Sequence, residues 1–394
     1  MAVILVTDGT QRTALAACRS LVRAGHDVHV VSARRWSIAG VSRGVHEHVV
    51  TASAMTHPDA FASAVATLAG RVQADVLLPM TDAAATAILA RAEHEPLSVR
   101  VPLPRLPAFQ RASDKVALLP LAEAAGFAVP ESIVVPSRAA AATFALNGGL
   151  VPGVLKPHRS IVAAGTGLRW QGVAHYATAA EGAALLRDMP GEAFPILAQR
   201  RIEGPGVGFF ALRWRGKMVA TFAHRRVREV PPSGGISVCR ESIPLPAALV
   251  AAGTRLLAAL DWEGVAMVEC KHDIANDRYY VIEINPRFWG SLQLAIDAGV
   301  DFPALLVECI LGGSPAPVTS YRVGVRSRWG WGELDYVYLR TKLRPRATAA
   351  ASAFLRALGE LLHWSPRRDR PEILRLRDPL PSVVETLGRI GLLR

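Results

Sequence analysis

The sequence predicts an α/β chain with separate α+β lobes: a parallel sheet at the N-terminus, then a larger region built on antiparallel hairpins. Three observations carry this reading. Residues 2–32 run strand, turn, helix, strand: the apolar AVILVT precedes a helical stripe of Leu15, Cys18, Leu21 and Val22, which Gly25 closes before VHVVS. Residues 262–290 hold two short apolar runs, 265–268 and 279–284. The polar turn residues His272, Asp273, Asn276 and Asp277 part them, as in a β-hairpin. With 394 residues, 51% hydrophobic and 20% charged, the chain is globular and long enough for about two to four domains.

The opening strand–helix–strand unit is the start of a parallel sheet. Its first turn reads Asp8-Gly9-Thr10-Gln11-Arg12, not G-x-G-x-x-G, so a dinucleotide fingerprint is absent. The rhythm continues through a helix at 59–71 and a strand at 75–79 that ends in Met80-Thr81-Asp82. Ligands of open parallel sheets sit at the carboxyl ends of the strands, which makes Asp8, Thr10, Arg12 and Asp82 pocket candidates. Turn formation and helix capping explain the same residues equally well. His46-Glu47-His48 looks like a metal pair but sits in alternation near a strand start, and with no third ligand nearby a surface loop is the better reading. PLPRLPAF, residues 102–109, reads as the linker that leaves this first domain.

Beyond it, Ser113-Asp114-Lys115 precedes a helical stripe ending at Gly126, and FAVPESIVV is strand-like. Val154-Leu155-Lys156-Pro157 is an apolar strand ending in a lysine, which when buried must neutralise or find an anion. The loop 158–170 is small and flexible in composition, and 178–187 reads as a helix. After a hairpin turn at Arg215-Gly216-Lys217 comes a basic cluster, His224, Arg225, Arg226 and Arg228, with Gly234-Gly235-Ile236-Ser237 beyond. Cations beside such a loop suit a phosphoryl group or a carboxylate substrate; a solvated basic strand end is the plainer reading of any one arginine. Residues 247–261 form a helix before the hairpin.

The hairpin carries the chemistry. Glu269 ends its first run, Glu283 ends the second, and Asn285 follows Glu283 at i+2, on the same strand face. Their neighbours are Met, Val, Ile and Cys, so two carboxylates there would be costly to bury without a cation. Two carboxylates and an amide oxygen at one hairpin end suit a hard divalent cation such as Mg²⁺. Arg287 follows at i+2 from Asn285, in the run Glu283-Ile284-Asn285-Pro286-Arg287.

These residues resemble the ATP-grasp superfamily, whose signature is a glutamate ending one strand and Glu-x-Asn-x-Arg ending the next. The resemblance covers roughly residues 1–312 and implies an ATP-grasp fold behind an N-terminal parallel-sheet, Rossmann-like domain. It divides the chain into 1–110, the pre-ATP-grasp domain; 111–315, the ATP-grasp domain, with a lid lobe at 111–198 and a metal-bearing lobe at 199–315; and 316–394, a basic extension. It implies ATP and Mg²⁺ as cofactors, with Mn²⁺ able to replace Mg²⁺, and Glu269, Glu283 and Asn285 as metal ligands. Lys115 and Lys156 would hold phosphates, with residues 158–170 as the flap over them. Gln199, Arg200, Arg201 and Ile202 would form the adenine edge, chiefly by backbone groups, and Glu203 would take the ribose.

His224-Arg225-Arg226 with Gly234-Gly235-Ile236-Ser237 is similar to a branch labelled predicted carboligase. The implied function is a carbon–nitrogen bond-forming ligase that joins a small carboxylate to an amine through an acyl phosphate. Arg287, Lys156, Arg226 and His224 are its catalytic candidates. Kinase-like phosphoryl transfer on the same site, or a nucleotide-binding regulatory or scaffold role, are the alternatives. A homodimer is compatible with either.

Net charge is +12, and residues 321–394, with 15 Lys/Arg against 7 Asp/Glu, supply +8 of it. Arginine far outnumbers lysine and alanine is abundant, which reads as compositional bias; with no recognisable nucleic-acid motif, no nucleic-acid partner is expected. The tail contains a strand-like segment at 322–328 and a helix at 348–363, whose Phe354, Leu355, Leu358, Leu361 and Leu362 make an apolar stripe. Docking on the body explains the stripe, and peripheral contact of a basic amphipathic helix with a membrane surface is the alternative. Four scattered cysteines, no signal-like leader and no long apolar run point to a cytoplasmic location.

Overall fold

The structure, a computed structural model, describes residues 1–146, 148–232, 234–342 and 347–393. Ser233, in the glycine loop, and residues 343–346 of the basic tail lie outside the described residues.

The N-terminal sheet is parallel throughout. Its strands lie in the order Val45–Val50, Asp27–Ser32, Val3–Val6, Val76–Leu78. The two central strands are apolar on both faces because helices cover both, as parallel sheets require. Leu5, Val31 and Leu77 face Phe61, Val65 and Ile88, while Ile4, Val6, Val28 and Val30 face Leu15, Cys18 and Leu21. His46, Glu47 and His48, expected in a surface loop, lie on the edge strand Val45–Val50. The expected linker at 102–109 is also partly corrected, since Leu106–Ser113 is a helix with proline in its first turn, where the missing N–H costs nothing.

The lid lobe has an antiparallel sheet, Ser132–Val135, Ile196–Arg200, Gly153–Pro157 and Ala174–Tyr176, in that order. The flexible loop expected at 158–170 contains a two-stranded hairpin, Ile161–Ala164 with Gly167–Trp170. Its tip leans on the N-terminal domain, where the Leu168 N–H donates to the Met55 carbonyl at 2.7 Å.

A seven-stranded sheet forms the body, ordered Arg278–Asn285, Gly264–Asp273, Gly206–Trp214, Lys217–Val230, Ile236–Ser242, Arg326–Arg328, Asp369–Pro371. Alternation splits its side chains between two cores. Val207, Phe209, Ala211, Ala266 and Val268 pack against the helix Ala247–Ala259, while Phe210, Leu212, Phe222, Val265 and Met267 pack toward the N-terminal domain. The basic residues 224–228, expected near a strand end, belong to one 14-residue strand.

The tail is no appendage. Arg326–Arg328 and Asp369–Pro371 complete the central sheet, so the boundary expected at 315 falls within a continuous structure. The helix Ala347–Leu362 docks through Ala357 and Leu361 onto Val238, Tyr336 and Val337. Phe354, Leu355 and Leu362 of its stripe stay exposed. Among the described residues, no helix is long and apolar enough to cross a membrane.

Candidate active site

Glu269 and Glu283 are register partners across the hairpin, and Asn285 opposes Met267 two residues on. Directly paired residues share a face, so both carboxylates and the amide emerge on one side, at the end of the core that the body shares with the N-terminal domain. The next strand places Gly208 opposite Glu269, and the one after places His224 opposite Gly208. Arg226, two residues past His224, reaches back across the sheet to Glu269 Oε2 at 2.5 Å. Gly206 leaves it the path: a Cβ there would stand 2.7 Å from Arg226 Cδ. Glu229 accepts a second bond from Arg226 at 2.8 Å.

Lys115 opens the helix Lys115–Ala124, capped by Asp114, whose carboxylate accepts the N–H groups of Val116 and Ala117. The lysine is buried. Its Nζ lies 3.1 Å from Glu283 Oε2 and donates to Ser160 Oγ, in the flap, at 3.0 Å. Lys156, also buried, donates to Gln199 Oε1 at 2.8 Å, and Gln199 Nε2 in turn donates to Ser132 Oγ at 2.9 Å. Burial lowers Lys156 to about 8, against the pull of Glu283 and Glu269. Burial raises the Glu269 carboxyl above its ordinary value, Arg226 opposing and Glu283 adding to the rise. Burial raises Glu283 too, yet Lys115 and Lys156 outweigh it and hold that carboxyl below the ordinary value.

Arg287 ties the hairpin to the N-terminal domain. Its Nη2 donates to Asp82 Oδ2 at 2.6 Å and to Asn285 Oδ1 at 3.0 Å. Asp8 stands nearby with φ of 55°, a left-handed conformation that costs a non-glycine residue energy. Burial raises its carboxyl, although Thr7, which donates to it at 2.6 Å, opposes the shift. A cleft of about 410 Å³ opens beside these parts, with Glu269, Lys156, Arg226, Arg287 and Asp8 outside its lining. Lys115, Glu283 and Asn285 line one wall, Asp82, Thr86 and Phe109 another, and the flap residues 158–163 with Leu168 the roof.

Six expected residues sit differently. His224 is enclosed in the core, its ring stacked on Phe210 with centroids 4.7 Å apart and its Nε2 2.8 Å from Ser291 Oγ. Burial, with Arg226 and Arg240 nearby, pushes it well below the ordinary histidine range. It braces the turn after the hairpin rather than meeting a substrate. At the expected adenine edge, the Arg200 and Arg201 N–H groups already donate to Glu131 and Pro152 carbonyls, and the Gln199 side chain holds Lys156. Two N–H groups of that edge are therefore taken, and its carbonyls, with Ile202 and Glu203, remain as the contact candidates there. Arg12 is held by Glu372 at 2.5 Å and lies 4.0 Å over the Trp329 ring, both contributed by the tail. Thr10 is exposed in its turn.

Residues 193–331 match a family model described as "ATP-grasp in the biosynthetic pathway with Ter operon". The chain is similar in structure to N5-carboxyaminoimidazole synthetase from Staphylococcus aureus, with TM-score 0.61 and 17% identity over 82% of this chain and 80% of that one. The fold is ATP-grasp. This ATP-grasp chain is also similar to an L-amino acid ligase from Bacillus licheniformis, with TM-score 0.62 and 17% identity over 80% of this chain and 75% of that one. A third similar structure is the biotin carboxylase domain dimer of Hydrogenobacter thermophilus 2-oxoglutarate carboxylase, in complex with MgADP, ADP and bicarbonate. Its TM-score is 0.62 and its identity 14%, over 82% of this chain and 73% of that one. No curated protein matches the sequence.

Within the ATP-grasp body, two groups escaped the sequence reading. Lys271 donates to the Gly204 carbonyl at 3.2 Å and lies 3.7 Å from Glu229. Ser160 fastens the flap to Lys115. Lysine itself was the available signal for the first. The chain has only Lys115, Lys156, Lys217, Lys271 and Lys342, and three of them surround the paired carboxylates.

Proposed function

We propose that the chain is an ATP-dependent ligase joining a small carboxylate to an amine through an acyl phosphate, with release of ADP and phosphate. The observation that carries this is the opposed pair Glu269 and Glu283, with Asn285 on the same face and cations on every side. The donor set, two carboxylates and an amide oxygen, fits a hard cation such as Mg²⁺ or Mn²⁺, and the half-buried, raised carboxyl of Glu269 is a group such a cation would stabilise as its anion. Bound there, the cation would neutralise phosphate charge during transfer.

Lys115 and Lys156 supply point charges for the phosphates. Ser160, on the flap, links Lys115 to the roof of the cleft, so phosphate binding and flap position are coupled. Ile202 and Glu203 would meet the adenosine. The substrate carboxylate oxygen attacks the γ-phosphorus, and the bond to the ADP oxygen breaks. The amine then attacks the acyl carbon, phosphate leaves with the bonding pair, and the amine proton passes to solvent or phosphate. Arg287, held between Asn285 and Asp82, would stabilise the negative charge that grows on the acyl oxygen. Arg226 keeps Glu269 oriented, and Asp82, on the cleft wall, would be the carboxylate nearest an incoming amine.

Screening carboxylates and amines for ADP release tests the reading. Release that requires both substrates supports ligation. Release with a carboxylate or alcohol alone, unchanged by any amine, would make the site a kinase.

A further inference from the structure

A second cluster of metal-ligating side chains lies at the edge of the N-terminal sheet and shares no residue with the cleft. Asp27 and His29 alternate on the strand Asp27–Ser32 and so point to one face. The edge strand beside it pairs Val28 with Val45 but His29 with Glu47, which makes His46 an extra residue in the register. Such a bulge turns a side chain toward a face that strict alternation denies it. His46 and Glu47, consecutive in sequence, therefore both reach the neighbouring strand, His46 at Asp27 and Glu47 at His29.

His46 Nδ1 lies 3.0 Å from Asp27 Oδ1, and His29 Nε2 lies 3.5 Å from Asp27 Oδ2. The two imidazoles stack with centroids 4.9 Å apart. One ligand atom from each of Asp27, His29 and His46 lies within 4.8 Å of the others, the one such grouping among the described residues. Behind them, His29 Nδ1 lies 3.3 Å from Glu47 Oε2, and Arg71 donates to both Glu47 oxygens at 2.7 and 2.8 Å.

We propose that Asp27, His29 and His46 bind a divalent transition-metal ion of the zinc class. Two imidazole nitrogens and one carboxylate oxygen are a borderline donor set, which favours zinc, cobalt or nickel over magnesium. Glu47 accepts the Nδ1 proton of His29, fixing the tautomer whose Nε2 lone pair faces Asp27, and Arg71 fixes Glu47. This carboxylate–histidine arrangement orients metal-bound imidazoles in general. The His29 side chain is only 6% exposed and preset, whereas His46, 63% exposed, is free to swing the last short distance onto the ion. Solvent fills the remaining positions, since the cluster opens into a surface hollow. The ion would pin the edge strand to its neighbour.

The test is titration of the full chain with Co²⁺ and with Zn²⁺, beside His46→Ala and Glu47→Gln variants. In the native chain we expect one equivalent of Co²⁺ with visible absorption bands, displaced by Zn²⁺, and a higher melting temperature with Zn²⁺. His46→Ala should abolish the bands, and Glu47→Gln should weaken binding about 10–100-fold. Because His46 is mostly exposed, the metal-free melting temperature of His46→Ala should match the native one. Absence of Co²⁺ bands at 100-fold metal excess (about 1 mM) in the native chain would reduce the cluster to ion pairs. Identical titrations of the native chain and the variants would also overturn the proposal.

Discussion

Glu269 and Glu283 oppose each other across antiparallel strands, and each is held by a different cation, Arg226 on the first and Lys115 on the second. The half-buried pair is thus held without a metal, at the place proposed to take one. Removing Arg226 leaves Glu269 unpaired beside a second carboxylate. Arg226→Met is therefore expected to cost about 3–5 kcal/mol, with Mg²⁺ alone restoring part of the loss. Melting temperatures with and without Mg²⁺ measure this; a variant as stable as the native chain would show that the pair contributes little.

Lys156 gives the protein a pH signature. Its folded value of about 8 lies below the ordinary 10.5, so between them the unfolded chain holds a proton that the folded one lacks. Stability from this group rises with pH across that window, and below pH 8 the burial penalty is present in full. Phosphate affinity runs the other way, because the ammonium loses its charge above about 8. Calorimetric Mg-ATP affinity should weaken between pH 7 and 9.5 in the native chain and flatten in Lys156→Met. The same slope in both would remove Lys156 from the phosphate site.

Arg287 joins Asn285 to Asp82, a contact between residues 205 positions apart in the chain. If it meets charge that develops only during acyl transfer, Arg287→Met should lower turnover about 10²–10³-fold and leave Mg-ATP affinity nearly unchanged. Steady-state kinetics beside calorimetry separates the two effects. Equal losses in both would make Arg287 a ground-state binding group.

Gly204 lets the chain cross the His272 carbonyl just after the proposed adenine edge. Its φ is +128°, and a Cβ would lie 2.0 Å from the His272 oxygen, so Gly204→Ala is both strained and blocked. The expected loss exceeds about 1 kcal/mol in denaturant unfolding. A neutral substitution would mean that this segment shifts freely.

The hairpin, the buried lysines Lys115 and Lys156 and the N-terminal sheet were legible because each is local: an apolar run of the right period, closed by a charged residue that burial would make costly. What depends on distant partners was not. Nothing near His224 in sequence announces Phe210 and Ser291, which enclose it. The strand Lys217–Val230 was hard to see because its basic residues find their anions at Glu241, Glu269 and Glu333, far along the chain. Likewise Asp369–Pro371 is a three-residue strand with no apolar pattern of its own, and only pairing with Arg326–Arg328 makes it one.

The most direct measurement is Mg-ATP binding by calorimetry, comparing the native chain with a Glu283→Ala, Asn285→Ala double variant. Mg²⁺-dependent binding by the native chain, lost in a variant that keeps its native circular dichroism, is the predicted result. Binding of equal strength in both proteins, or none by the native chain at about 1 mM nucleotide (about −4 kcal/mol), would contradict the assignment of this hairpin as the nucleotide-metal site.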